Sequence, residues 1–146
     1  MVKVVVSDNK GLVQSSGNGT HINNNAIVTG NLTSHSLVAG SEAITAAGAA
    51  SITTLLSLVT PDGADMAVTL ADGVNVGQIK IFHTVASANS WKVTPTTTDG
   101  SYTKVTCTLI GDTVTLMWTG TGWAILSRAS GTAAGATAVV DMPVIA

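Results

Sequence analysis

The sequence predicts an all-β protein, with a small antiparallel sandwich or barrel-like domain preceded by an extended Gly/Asn-rich N-terminal segment. Three observations carry this. Apolar residues alternate with polar ones at a period of two from Ser51 onward, Thr and Val recur throughout, and no stretch of ten residues keeps a clear helical period. Met66 to Leu70 is the first clear short strand. Asp72-Gly73 and Gly77 then give turn signals ahead of a run in which Ile79, Ile81, His83 and Val85 face one way and Lys80, Phe82 and Thr84 the other. Trp91 to Thr94 is a further strand, stopped by Pro95. Tyr102 to Leu109 alternates, with Val105, Cys107 and Leu109 on one face. After the turn at Gly111-Asp112 the pattern returns in Val114, Leu116 and Trp118. Gly120-Thr121-Gly122 supplies a tight loop before Trp123, Ile125 and Ser127, so residues 102–128 are expected to form a three-stranded meander. Trp118 and Trp123 flank that loop and should meet as cross-strand neighbours; together with Trp91 they are the expected structural anchors.

Composition changes near residue 50. From Ser7 to Ala50 the chain is mostly Gly, Asn, Ser, Thr and Ala with isolated apolar residues, no aromatic residue, and Glu42 as the one acid after Lys10. Gly17-Asn18-Gly19-Thr20 returns as Gly30-Asn31-Leu32-Thr33, each copy closely followed by a histidine, His21 or His35. Such a segment reads either as a flexible arm or as an ordered stalk of short strands and turns. We divide the chain into an attachment or oligomerisation arm at 1–50, a β domain at 51–130 and a C-terminal segment at 131–146. Within the arm, Val4, Val5, Val6, Ile22, Ile27 and Leu32 are the apolar residues expected to make the contacts. Because the recognised strands and all three Trp lie after residue 50, removing 1–50 is expected to leave a folded domain.

A chain of 146 residues suits one domain with an arm. Only 10% of its residues are charged and the net charge is −2, against about 25% charged in an average domain. No basic face is therefore available for nucleic acid. The uncharged run Ala43 to Thr60 is broken by Gly48, Ser51 and Ser57 and ends at Pro61, so it falls short of a membrane-spanning helix. The apolar start before Asp8 is too short for a secretory leader. Cys107 is the sole cysteine, which excludes an intrachain disulfide and fits a reducing place of synthesis, leaving the sequons at Asn18 and Asn31 as bystanders. With 45% hydrophobic residues and no span expected, low charge points to a chain that hides surface in an oligomer.

The inventory of reactive groups is thin. No Gly-x-Ser-x-Gly elbow accompanies His21, His35 or His83, and Cys107 alternates with apolar residues as a core position would. Asp62, Asp65, Asp72, Asp99 and Asp112 sit in turns or beside Gly, where Asp caps local backbone groups, and they lack the spacing of a calcium loop. No catalytic residue, cofactor or metal is expected, and the chain does not read as an enzyme.

One resemblance adds to this. The ordered segments Val68-Thr69-Leu70-Ala71-Asp72-Gly73, Gly77-Gln78-Ile79-Lys80-Ile81, Val93-Thr94-Pro95, Gly111-Asp112-Thr113-Val114-Thr115-Leu116-Met117-Trp118 and Gly122-Trp123-Ala124-Ile125-Leu126 resemble the β-rich module of tailed-bacteriophage virion proteins. That family includes capsid decoration (cement) proteins and fibre heads. The likeness spans residues 52 to about 128, and Ala26 to Thr33 is similar to segments that precede such modules. It implies a homotrimeric structural protein, made in the host cytoplasm and fixed to the capsid surface through the major capsid protein. The alternative within the same resemblance is a head or tail fibre module that binds a host-surface glycan, which would use exposed Trp and loop Asp residues.

Overall fold

The computed structural model describes residues 39–86, 89–131 and 144–146. The arm residues Val4, Val5, Val6, Ile22, Ile27 and Leu32, like His21 and His35, lie outside the described residues. Ten strands and no helix occur among the described residues: β1 (Ser41–Ile44), β2 (Gly48–Ala50), β3 (Leu56–Val59), β4 (Met66–Leu70), β5 (Ile79–Thr84), β6 (Trp91–Pro95), β7 (Val105–Cys107), β8 (Thr113–Trp118), β9 (Trp123–Ala129) and β10 (Val144–Ile145). They form two five-stranded sheets, ordered β1-β3-β5-β8-β9 and β10-β7-β6-β4-β2. The chain is all-β, as the periodicity predicts.

The sheets are mixed, which corrects the expectation of an antiparallel domain. The first six strands alternate between the sheets, so that β1, β3 and β5 pair in parallel in the first sheet and β2, β4 and β6 pair in parallel in the second. Each successive pair of strands is thus one winding of the chain laid against the previous one. Only from β7 onward does pairing become antiparallel, β8 joining β5, β9 joining β8, and β7 lying between β6 and β10. Residues 41–50, grouped with the arm on composition, supply β1 and β2 and so belong to the sheets.

The meander expected over 102–128 does not form, because β7 belongs to the second sheet while β8 and β9 make a hairpin in the first. The cause is local. The amides of Thr108 and Leu109 donate to Asp112 Oδ2, at 2.8 and 3.0 Å, and not to a neighbouring strand, which ends β7 at Cys107. Gly111 follows at φ +88°, a conformation that favours glycine, and the chain crosses to the other sheet.

The inward faces of both sheets contribute to one apolar core. Phe82, Val114, Leu116 and Trp118 come from the first sheet and Met66, Val68, Leu70, Trp91, Val93, Val105 and Cys107 from the second. Phe82 and Trp91 touch across the sheets at 5.9 Å between ring centroids, and Trp91 Nε1 donates to Thr84 Oγ1 at 2.9 Å. Each large side chain buried here contributes about 1.5–3 kcal/mol.

Candidate functional site

The residues that carry the sequence motifs are occupied in holding the fold. Asp72 Oδ2 accepts from Thr97 Oγ1, and Gly73 lies so close to Trp118 that an added Cβ would come within 2.4 Å of Trp118 Cγ. Gln78 Oε1 accepts from the Val74 amide at 2.9 Å and Gln78 Nε2 donates to the Ile52 carbonyl, which ties the loop before β5 to the chain before β3. Asp112 is fully buried, and besides the amides of Thr108 and Leu109 it takes that of Gly131 at 2.8 Å. Its carboxylate therefore fastens the end of β7 to the segment following β9.

All three Trp are interior. Trp91 and Trp123 are 0% exposed and Trp118 7%. Trp118 and Trp123 stand opposite each other on β8 and β9, with ring centroids 5.6 Å apart at 60°, the tilted arrangement that aromatic quadrupoles favour. Trp123 Nε1 donates to the Ala71 carbonyl at 2.9 Å, and Tyr102, buried ahead of β7 and not within it, donates its hydroxyl to the Trp123 carbonyl at 2.6 Å. Burial, with the Asp99 charge adding to it, pushes the Tyr102 hydroxyl up to about 12. Burial and then the Asp112 charge hold the Cys107 thiol far above its ordinary range, so it stays protonated and unreactive.

One polar cluster was not anticipated. Lys80 points inward from β5 with 1% of its side chain exposed, and its Nζ donates to Glu42 Oε1 at 2.8 Å and to Thr54 Oγ1 and the Thr54 carbonyl at 2.9 and 3.0 Å. Glu42, on β1, also accepts from Ser57 Oγ at 2.6 Å and from the Ser51 amide at 3.1 Å. Burial raises the Glu42 carboxyl, but the donors Lys80, Ser57 and Ser51 and the Lys80 charge together outweigh it and hold the group below its ordinary value. For Lys80 the balance is reversed: burial outweighs Glu42 and lowers the ammonium. The alternation of β5 put Lys80 on the same face as Phe82 and Thr84 without saying which face is interior, and its partner lies 38 residues earlier in the sequence, beyond any local pattern.

No pocket opens among the described residues, and no three His, Cys, Asp or Glu side chains converge there. No described helix is long and apolar enough to cross a membrane. The outward surfaces of the two sheets differ sharply. The second presents Ala49, Ala67, Thr69, Lys92, Thr94 and Thr106. The first presents Leu56, Leu58, Ile79, Ile81 and Met117, with His83 bonded through Nδ1 to Thr113 Oγ1 at 2.9 Å. In the sequence Ile79 and Ile81 stand out as one face of an alternation, whereas Leu56 and Leu58 were not read as part of a strand. No family model matches the chain, and no curated protein matches it.

Proposed function

We propose that this chain is a structural protein of a tailed-bacteriophage virion, a capsid decoration (cement) protein that stabilises the head as a homotrimer. In this reading the two sheets form a β-sandwich that projects from the capsid surface, and the N-terminal arm holds the major capsid protein. The observation that supports it most is the use of the motif residues. Four of the five segments that carry the resemblance hold a turn, a strand end or a core ring in place, through Asp72-Gly73, Gln78, Asp112 and Trp123. The glycan-binding alternative draws less support, because Trp91, Trp118 and Trp123 are interior and cannot offer a face to a sugar ring.

The test is to locate the protein on particles. Antibody-gold labelling of gradient-purified virions should decorate heads, and heads lacking the protein should rupture at lower temperature than complete ones. Label on fibres would replace the decoration reading with the fibre reading, and absence from purified particles would overturn both. Light scattering of the full-length protein at micromolar concentration should give a trimer; a monomer would remove the assembly part of the proposal.

A further inference from the structure

We infer that the outer face of the first sheet is the surface through which copies of this chain bind one another, with β5 near its centre. On β3 and β5 the inward face is mixed, with polar residues beside Val59 and Phe82, while the outward face is largely aliphatic. Ser57, Lys80 and Thr84 point inward and are buried, whereas Leu56, Leu58, Ile79 and Ile81 point outward and are only partly covered. Inward polar groups need partners, and here Glu42, Thr54 and the Trp91 indole supply them. Outward aliphatics, by contrast, gain nothing from water. A strand apolar on its outer side as well as inside is the mark of a sheet covered on both faces.

The chemistry of the face selects its occupant. Besides His83, which is bonded to Thr113 on the same face, its remaining described positions on β1, β8 and β9, such as Ser41, Ala43, Thr115 and Ala124, add no Asp, Glu, Lys or Arg. A partner recognised by charge would find little counterpart, whereas copies of this chain arranged in a closed ring can each turn such a face toward the common axis and cover it. Five strands of four to seven residues make a flat area of roughly 20 by 20 Å, about 400 Å². That is about half of the roughly 800 Å² each partner gives to a standard interface. Val85, which continues the β5 alternation, extends the patch and is 46% exposed. The inference rests on the self-association in the proposed function and not on the virion assignment.

Full-length wild type and single lysine variants would be compared by light scattering and circular dichroism. Ile81→Lys or Leu58→Lys should keep the β spectrum and weaken association at least about tenfold, a loss of about 1.4 kcal/mol. Thr69→Lys and Thr94→Lys on the second sheet should associate as wild type does. If the first pair fails to fold, Ile81→Cys and Thr94→Cys treated with a short bis-maleimide keep the question open to measurement, since Cys107 is buried. With one reactive thiol per copy, Ile81→Cys should give a covalent dimer and Thr94→Cys should not. A monomeric wild type would overturn this inference together with the homotrimer. An oligomeric wild type whose folded Ile81→Lys variant associates unchanged, or whose cross-links run through position 94 and not 81, would overturn the face alone.

Discussion

Lys80 and Glu42 are the residues whose energetics are least symmetric. Lys80 is almost wholly enclosed at 1% exposure, whereas Glu42 keeps 21% of its side chain in contact with water. Removing Glu42 strands an ammonium in the interior. Removing Lys80 leaves a carboxylate that still accepts from Ser57 and the Ser51 amide and can take up water. Glu42→Gln should therefore cost about 3 kcal/mol, near the low end for stripping one partner from a buried pair, and Lys80→Met distinctly less; thermal melts of both at neutral pH check the order. The acid limb follows from the same geometry. The carboxyl of Glu42 titrates lower in the fold than in the unfolded chain, so its contribution is complete above the unfolded value and is lost as pH falls through the folded one. The stability gap between wild type and Glu42→Gln should narrow as pH drops below about 4.3, the ordinary glutamate range. A gap that stays constant into acid would show that the carboxylate charge does no work there.

At the scale of elements, the β8–β9 hairpin is joined to the rest of the fold through its two Trp. Trp123 touches Trp118, donates to Ala71 and lies beneath the Tyr102 hydroxyl bond, so it links the hairpin to the loop after β4 and the segment before β7. Trp123→Ala should cost about 3–5 kcal/mol, and Trp118→Ala somewhat less because that ring lacks full enclosure at 7% exposed. Against a domain stability of about 5–15 kcal/mol, either change should lower the melting temperature visibly, and unchanged melting of both would refute their role as anchors. This pairing was legible in sequence because a tight Gly-Thr-Gly loop fixes the register of the strands beside it. Strand positions such as Met66–Leu70 were legible for a similar reason, since alternation is a local property. Which strand pairs with which was not. Ser41 lies opposite Leu56 and Leu56 opposite Ile81, so the windings are unequal in length and leave no internal repeat to detect. The end of β7 was also hidden, because Asp112 captures amides that the alternation assigned to a longer strand.

For the whole molecule, the parallel windings change what the N-terminal boundary means. A break at residue 50, drawn from composition, passes between strands that the fold needs together. Ser41–Ile44 and Gly48–Ala50 contain too few large apolar residues to announce themselves as strands. They are held by pairing in parallel with β3 and β4, which a local reading of sequence does not reveal. Cutting there would remove Ile44 and Ala50 from the core, expose the edges of β3 and β4, and take Glu42 away from Lys80. Open edges of this kind template association with other chains, and the stranded ammonium adds its own cost. A fragment starting at residue 51 should consequently precipitate or melt without cooperativity. One starting at residue 39 keeps both strands and the ion pair, and should melt in a single transition. Circular dichroism melts of the two fragments, prepared side by side, decide the matter. If the shorter one unfolds as cooperatively and at the same temperature as the longer, then β1 and β2 contribute nothing to the domain and the boundary at residue 50 stands.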